Sequence, residues 1–234
     1  MVSVIVPCYN SGFGYLREAV EGILIQAVEG IEVIVVDDGS SDDSIQRAED
    51  YFKDRITIIR QSNQGPSAAR NIGILAAKHS IISFNDADDT WPKNRLLTHL
   101  KVLKERQCDV VIGHNQPFVP KEMTTSDLFE RPIEKSVSFG AATFTKEIFS
   151  TVGLLDETLL YSEDHDWFLR AREKNASIVR ILDISLYHRV HSKSMTYGKE
   201  YGDFGMLKIL KKSIERRKNE SSDVPTNLKT NIDK

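Results

Sequence analysis

Short apolar runs alternate along the first half of the chain with stretches whose apolar residues recur every three or four positions. The runs cover residues 2–6, 33–36, 56–59, 81–84 and 109–113. Short β-branched runs bounded by turn residues are typical of strands buried on both faces of a parallel sheet. The intervening stretches, such as residues 65–78 and 92–107, have the spacing of amphipathic helices. The pattern predicts an α/β fold with a mostly parallel central sheet and helices on both faces.

The pattern changes after residue 113. Residues 116–135 hold three prolines and mixed charges, which predicts a long loop, and such a loop in a compact domain is often functional. Further strands are predicted over residues 138–145, 178–181 and 185–188, and helices over residues 146–152 and 164–174. We therefore expect one domain over residues 1–205, with a division near residue 113 and a smaller C-terminal portion.

The composition restricts the classes of partner. The chain has 234 residues, 40% of them hydrophobic, and a formal net charge of −3. A general nucleic-acid-binding protein would carry a basic surface, so no nucleic-acid partner is expected. No run approaches the ~20 apolar residues of a membrane span, and residues 1–7 lack the features of a signal peptide, which predicts a cytoplasmic location. Cys8 and Cys108 lie beside apolar runs and are predicted to be buried, reduced thiols.

Acidic residues cluster where two of the predicted strands end. Asp37 and Asp38 follow residues 33–36, and Asp86 and Asp88 follow residues 81–84. Clustered like charges oppose folding unless a ligand offsets them, and ligands of open α/β sheets bind at the carboxyl ends of strands. Carboxylates two positions apart on an extended segment point the same way. Asp86 and Asp88 are therefore candidates for binding a ribose hydroxyl and a hard divalent cation. The alternative is a solvated acidic turn.

Three later segments carry further candidates. A predicted helix begins near residue 65, where its N-terminus would attract anions, and Arg70 could reach a base or phosphate from its first turns. An exposed arginine on a solvated face is the alternative. Glu163 and Asp164 precede another predicted helix and suit either a general base or an ordinary N-terminal cap. His188 and His191 follow a late strand, and each needs support from elsewhere.

Taken in order, these segments resemble the motifs of family 2 glycosyltransferases, which have the GT-A fold. The matching segments are VIVPCYN at residues 4–10, VVDDGS at 35–40, GPSAARNIG at 65–73, DADD at 86–89, GLLDE at 153–157, SEDHDW at 162–167 and HSKS at 191–194. The resemblance covers residues 1–197. It implies a Rossmann-like domain whose residues 1–113 form a nucleotide-binding half and whose residues 114–205 form an acceptor and catalytic half.

The resemblance also implies how a nucleotide would be bound. The implied nucleotide-binding residues are Pro7, Tyr9, Asn10, Asp38, Gly65, Arg70, Asp86 and Ala87. Among them, the side chain of Asp38 and the backbone around Pro7 would hold the base. Arg70 would flank the base, and Asp86 would approach the ribose.

The implied reaction is an inverting transfer of one sugar from a nucleotide-diphosphate sugar, with UDP as the expected nucleotide. Asp88 and His191 would bind Mn²⁺ or Mg²⁺ at the diphosphate. Asp164 resembles the general base that deprotonates the acceptor hydroxyl, and Glu163 would support it. Displacement at the anomeric carbon needs a base on one face and stabilisation of the leaving group on the other. The family implies a glycan or a lipid-linked acceptor, and a role in polysaccharide or glycolipid assembly.

Departures from the family pattern and rival interpretations remain. The Gln-x-x-Arg-Trp motif of processive synthases is missing, which favours a single addition. Asn85 stands where the family usually carries an apolar residue. One rival is a catalytically inactive GT-A-like scaffold that binds nucleotide. Another is a haloacid-dehalogenase-like phosphatase that uses Asp86, because residues 86–90 fit Asp-x-Asp-x-Thr, although that motif normally ends the first core strand.

Residues 206–218 predict a basic amphipathic helix with six Lys or Arg residues and one Glu. Its apolar stripe comprises Met206, Leu207, Leu210 and Ile214. The helix would lie on an anionic membrane surface, peripheral at the inner face and near a lipid-linked acceptor, or pack on its own domain with a solvated basic face. Residues 219–234 are polar, and we expect them to be disordered.

Overall fold

The computed structural model describes residues 1–119, 133, 137–192, 194–195 and 205–222, without the side chains of residues 219–222. The strands are β1 (Val2–Cys8), β2 (Ile31–Asp37), β3 (Thr57–Arg60), β4 (Ile81–Phe84), β5 (Val110–Phe118), β6 (Ala142–Thr145) and β7 (Ile178–Arg189). They form one sheet in the order β3-β2-β1-β4-β6-β5-β7. β6 is antiparallel to β4 and β5, and the other strands share one direction. The predicted α/β class with a mostly parallel sheet is confirmed.

Seven α-helices flank this sheet in the described part of the chain. They are α1 (Phe13–Leu24), α2 (Ser44–Phe52), α3 (Pro66–Ala76), α4 (Arg95–Arg106), α5 (Ile148–Val152), α6 (Glu163–Glu173) and α7 (Met206–Ser222). α3 packs on β1 and β2, α4 packs on β5, β6 and β7, and α6 packs between α5 and α7. No helix among the described residues is long and apolar enough to cross a membrane.

The central strands are apolar because both faces of the sheet are covered. Val4, Ile5, Val35 and Val36 are fully buried, as expected for parallel strands between helices. The carboxyl ends of the parallel strands meet at one edge of the sheet, where Cys8 at the end of β1 lies opposite the end of β2. The loops after β1, β2, β4 and β7 therefore converge on the same side of the domain.

A buried aromatic cluster fixes α6 against the middle of the sheet. The cluster consists of Phe84, Phe139, Phe144, Phe149, Trp167 and Phe168. Trp167 on α6 is fully buried, and its Nε1–H donates to the carbonyl of Gly153 at 2.8 Å. Because Phe84 ends β4, the cluster ties the start of α6 to the strand that precedes the second acidic segment.

Two predictions for the second half are wrong in detail. Residues 178–181 and 185–188 belong to one continuous strand, β7, and the predicted strand over residues 138–145 is a short 3₁₀ helix followed by β6. β7 stays continuous but bulges opposite β5, because Arg180 and Ile184 pair with Ile112 and His114 and so leave two extra residues in β7. At the bulge, a Cβ on Gly113 would lie 1.9 Å from Ser185 Oγ, so only glycine permits this close approach.

β5 extends to Phe118, so the predicted long loop begins later than residue 116. Most of that loop, and residues 223–234 of the predicted disordered tail, lie outside the described residues. Cys8 and Cys108 are buried and free, as predicted.

α7 packs on the domain through a different face from the predicted apolar stripe. Ile209 is fully buried, Lys212 pairs with Asp156, and Arg216 pairs with Glu173 at 2.8 Å. The stripe residues that remain exposed are Leu207 (84%), Leu210 (45%) and Ile214 (46%). The helix is therefore held to its own domain by part of its basic face, while the apolar stripe points to solvent.

Candidate active site

The first acidic pair follows β2, and Asp38 is held there by donors from the next loop. Its Oδ1 accepts hydrogen bonds from the side chain of Gln61 (2.7 Å) and the backbone N–H of Gln64 (2.8 Å), and its Oδ2 accepts one from the N–H of Gly65 (2.8 Å). Asp38 is 4% exposed, so it is not a solvated turn residue. Gly65 has a φ of 93°, which favours glycine, and it leads directly into α3. Asp38 therefore shapes the approach to the N-terminus of α3.

The loops after β1 and β2 interlock beside this carboxylate. The N–H of Asn10 donates to Ser40 Oγ at 3.0 Å, and Asn10 Oδ1 accepts from the N–H groups of Ser41 (2.7 Å) and Asp42 (3.2 Å). Asp37 accepts from the N–H of Ser40 at 2.8 Å. Ser40, Asp42 and their neighbours therefore fix a loop at the sheet edge, in addition to leading into α2 as predicted.

The second acidic segment is a turn rather than the extended strand end that was predicted. β4 ends before it, and residues 87–88 form a turn, so Asp86 and Asp88 do not point the same way. Asp86 Oδ1 accepts a hydrogen bond from Arg70 Nη2 at 2.6 Å, whereas Asp88 Oδ2 lies 2.9 Å from His191 Nε2. Ala87 between them is 5% exposed. The turn removes the alternation of a strand and gives each carboxylate its own partner.

The end of β7 holds Asp88 in place. Arg189 donates through Nε to the carbonyl of Asp88 (2.7 Å) and through Nη2 to Glu18 Oε2 (2.6 Å). The ring of Tyr15 lies under the Arg189 guanidinium, with 4.6 Å to its centroid, and next to the His191 ring at 5.3 Å. These contacts on α1 and β7 set the position of the Asp88–His191 pair.

Asp89 is buried behind the turn and pairs with a second histidine. Its Oδ2 lies 3.2 Å from His188 Nδ1, and its Oδ1 accepts from the N–H of Arg189 at 2.8 Å. Burial raises the pKa of Asp89 to about 6, against the hydrogen bond from His188. Burial alone would lower the pKa of His188, but its contacts with Asp89 raise it to about 9. The unusual Asn85 donates to the Asp89 carbonyl at 3.0 Å and so braces the turn.

The third acidic pair starts α6. Glu163 Oε1 accepts a hydrogen bond from Arg70 Nη1 at 2.8 Å, and burial raises the pKa of Glu163 while Arg70 opposes that shift. Asp164 Oδ1 accepts from the N–H (2.7 Å) and the ring Nδ1 (2.8 Å) of His165, and this hydrogen bond raises the pKa of His165. Asp164 Oδ2 makes no hydrogen bond to any described residue, so it can accept a proton from a substrate hydroxyl.

The structure brings most of the predicted site residues to one edge of the sheet. Pro7 and Tyr9 lie at the end of β1, and Tyr9 is 54% exposed. Arg70 is 6% exposed, which excludes the alternative of an arginine on a solvated face. It joins Asp86, after β4, to Glu163, at the start of α6.

Sequence reasoning missed the residues that support this edge. They are Tyr15, Glu18, Asp89 and Arg189. Arg189 was overlooked because β7 was divided into two short strands, which hid that it ends a strand at the ligand-binding edge. Asp89 was visible as the third acidic residue of its segment, but its pairing with His188 spans 99 residues and leaves no local signal.

The side chains at this site decide whether it could hold a divalent cation. Among the described residues, no group of three or more His, Cys, Asp or Glu side chains could hold a metal ion. Asp88 and His191, 2.9 Å apart, can supply two ligands. Mg²⁺ is commonly bound by one or two carboxylates, substrate phosphates and waters rather than by a complete protein cage. The residues present therefore fit a metal whose other ligands come from a diphosphate.

The chain is similar to known proteins over much of its length. The chain is 31% identical over 218 residues to EpsJ of Bacillus subtilis, described as an uncharacterized glycosyltransferase, in a match covering 84% of this chain and 63% of EpsJ. It is 41% identical over 117 residues to glycosyltransferase GlyG of Streptococcus pneumoniae, which covers 49% of this chain and 38% of GlyG. The chain thus spans less than two thirds of the length of either relative.

A solved structure shows the same fold. Residues 1–349 of S. aureus TarS in complex with UDP-GlcNAc superpose with a TM-score of 0.73 at 21% identity, covering 91% of this chain and 65% of that one. This likeness supports the GT-A fold. Residues 3–140 match the profile of Glycosyl transferase family 2. The chain therefore belongs to the family 2 glycosyltransferases.

Proposed function

We propose that this protein is an inverting glycosyltransferase that moves a single sugar from a UDP-sugar to an acceptor hydroxyl. The observation that carries the proposal is the position of Arg70, whose guanidinium joins the nucleotide-side Asp86 to Glu163 beside the candidate base Asp164. A donor bound near Asp86 and an acceptor bound near Asp164 would then share one cleft. Family membership supports the reaction class, and TarS supports UDP because that protein is solved with UDP-GlcNAc.

The nucleotide would bind over the loops after β1, β2 and β4. The proposed contacts come from Pro7, Tyr9, Asn10, Asp38, Gly65, Asp86 and Ala87, and Arg70 would border the same site through its ion pair with Asp86. The hydrogen bonds that fix Asp38 leave a preformed wall for the base. Preorganised groups bind a ligand better because little order has to be created on binding.

Mn²⁺ or Mg²⁺ would be held by Asp88 and His191. When bound, the metal would neutralise the charge that develops on the departing nucleotide diphosphate. The chain itself orients the two ligands through Arg189, which fixes the backbone of Asp88, and Tyr15, which packs on His191.

Asp164 would act as the general base, with Glu163 in support. We expect Asp164→Asn to lower the transfer rate about 10²- to 10⁴-fold, which is the usual contribution of a general base, while UDP affinity stays nearly unchanged. The measurement is UDP release from a UDP-sugar together with UDP binding by calorimetry. Asp166→Asn is a poor control because Asp166 is buried and paired, whereas Asp43→Asn is suitable because Asp43 is exposed just before α2. A substantially active Asp164→Asn variant would contradict the assignment.

We propose a lipid-linked acceptor, in a polysaccharide or glycolipid assembly reaction at the cytoplasmic face of a membrane. The exposed stripe of Leu207, Leu210 and Ile214 supports peripheral contact, since Lys211 and Lys218 flank it on the helix and would face anionic headgroups. We expect Leu207→Ser to weaken binding to anionic vesicles about tenfold, from the loss of one buried leucine. The matched control is Leu182→Ser, since Leu182 is 83% exposed on β7. If the protein sedimented equally with vesicles of any anionic lipid content, the membrane proposal would be wrong.

Two rival functions have less support. An inactive scaffold would still bind UDP but would not hydrolyse any UDP-sugar, so the assay above distinguishes it. In the phosphatase interpretation Asp86 would be a nucleophile after the first core strand. Here Asp86 follows β4, and one of its oxygens is held by Arg70.

A further inference from the structure

Arg70 is buried between carboxylates from the two halves of the candidate active site. Its Nη2 donates to Asp86 at 2.6 Å and its Nη1 donates to Glu163 at 2.8 Å. Within the described chain, neither carboxylate has another cation at ion-pair distance. A guanidinium presents its N–H groups in a rigid planar fork. The separation of the two carboxylates therefore follows from the position of this one side chain.

The next residue of α3 joins the same helix to the segment before α6 without using charge. Asn71 Nδ2 donates to the carbonyl of Leu155 (3.0 Å) and to Glu157 Oε1 (2.8 Å), and its Oδ1 accepts from the N–H of Leu155 (2.9 Å). None of these hydrogen bonds involves Asp86 or Glu163. Asn71 thus supports the same interface as Arg70 and provides a structural control for it.

The start of α6 depends on contacts of this kind. Ser162, the residue before the helix, has a left-handed φ of 58° and makes no side-chain cap, and a non-glycine residue in that region is strained. The first turn also carries three acidic residues. Without Arg70, Asp86 and Glu163 would repel each other across the cleft, which would push the start of α6 away from the loop after β4.

We propose that Arg70 is a positioning residue that sets the distance between the nucleotide-side carboxylate Asp86 and the start of α6, where the general base lies. The inference rests on the proposed function, because it requires Asp164 to be that base. It differs from the role implied by the family resemblance, in which Arg70 flanks the nucleotide base. A misplacement of about 1 Å by a side chain that does not react can lower a rate about 10²-fold.

The test compares Arg70→Met, Glu163→Gln and the double variant, with Asn71→Ala as control. The two readouts are kcat for hydrolysis of the UDP-sugar that the wild type cleaves fastest, and the Kd of UDP with Mn²⁺. We expect each single variant to lower kcat about 10²-fold with little change in Kd. The double variant should be no slower than either single, because both remove the same contact. The kcat of Arg70→Lys should lie between those of the wild type and Arg70→Met, because one ammonium cannot reproduce the planar fork of the guanidinium.

The control variant has an expected result that differs from every result that would contradict the proposal. Asn71→Ala should lower the melting temperature while kcat and Kd stay close to wild type. Additive losses in the double variant would overturn the coupling, and a rise in Kd equal to the fall in kcat would make Arg70 a nucleotide ligand instead. If the wild type binds no UDP, GDP or dTDP, or hydrolyses no UDP-sugar, the proposed function itself fails, and the inference fails with it.

Discussion

The acidic pairs after β2 and β4 look alike in sequence, but different chemistry stabilises them in the fold. Asp38 accepts three hydrogen bonds from neutral amide and backbone donors and, in the described part of the chain, faces no cation at ion-pair distance. Asp88 and Asp89 instead face His191 and His188. Neutral donors hold the first pair, and imidazole side chains lie beside the second.

This difference distinguishes the acidic pair that shapes the fold from the acidic pair that is available for chemistry. Hydrogen bonds from backbone N–H groups keep their geometry over a wide range of pH and in the absence of metal, so the loop around Asp38 is preformed. Asp88 and His191 could instead supply two ligands to the proposed divalent cation. The comparison therefore predicts that changes after β2 act on stability and nucleotide affinity without metal dependence, and that changes after β4 act mainly on activity and metal dependence.

The largest expected effect is that of Asp88→Ala on activity. We expect kcat/KM for a UDP-sugar to fall about 10³-fold or more, because the proposed metal would supply several kcal/mol of charge stabilisation in the transition state. Thermal shifts with UDP should depend on Mn²⁺ in the wild type, by roughly 2.7 kcal/mol at a hundred times Kd, and should lose that dependence in the variant. Asp43→Ala, at an exposed acidic position, is the control. If the thermal shift of Asp88→Ala with UDP still depended on Mn²⁺, the proposed difference between the two acidic pairs would be wrong.

Asp38→Ala should lower stability even without metal or nucleotide, in addition to weakening nucleotide binding. The substitution leaves the N–H groups of Gln64 and Gly65 without their acceptor, and each unsatisfied buried donor costs about 1–3 kcal/mol. We expect the free energy of unfolding to fall by about 2–4 kcal/mol in urea denaturation without added metal. Asp38→Asn keeps one carbonyl acceptor and should lose less. If Asp38→Ala and Asp88→Ala lowered the free energy of unfolding equally, the two pairs would not differ in how they are stabilised.

Much of this arrangement follows from local sequence. The strands β1 to β5 and the helices α1 to α4 were predicted because apolar runs and helical spacing are local signals, and their carboxyl ends then had to meet at one edge. The same reasoning placed Asp38, Asp86 and Asp88 at that edge. It failed on the direction of Asp86 and Asp88, because whether a segment is extended or turned depends on long-range contacts such as that from His191.

The remaining parts depend on pairings between distant segments. The hydrogen bond from Arg189 to the Asp88 carbonyl spans 101 residues, and no periodicity in the sequence reports it. In α7 the helical spacing identified an apolar stripe correctly but did not show which face packs. The packing face is set by the ion pairs of Lys212 and Arg216 with the rest of the domain.

The smallest expected effect concerns how stability depends on pH around Asp89. The pKa of His188 is raised to about 9 by Asp89, whereas histidine in an unfolded chain titrates near 6.5. The folded state therefore binds this proton more tightly, so its stabilisation is fully present below pH 6.5 and is lost as pH rises towards 9. We expect urea denaturation without metal to show this decline in the wild type and to show much less of it in Asp89→Asn. In that variant, the partner charge is gone and burial favours neutral His188.

His165 must be separated from this signal, because its hydrogen bond to Asp164 also raises its pKa and gives a decline of the same sign. His165→Gln should keep the part of the decline that belongs to His188, and Asp89→Asn should remove it. Only the slope of stability against pH is compared, so a constant loss of stability in either variant does not affect the result. Parallel curves for the wild type and Asp89→Asn between pH 6.5 and 9 would mean that His188 does not stabilise the second pair through its charge.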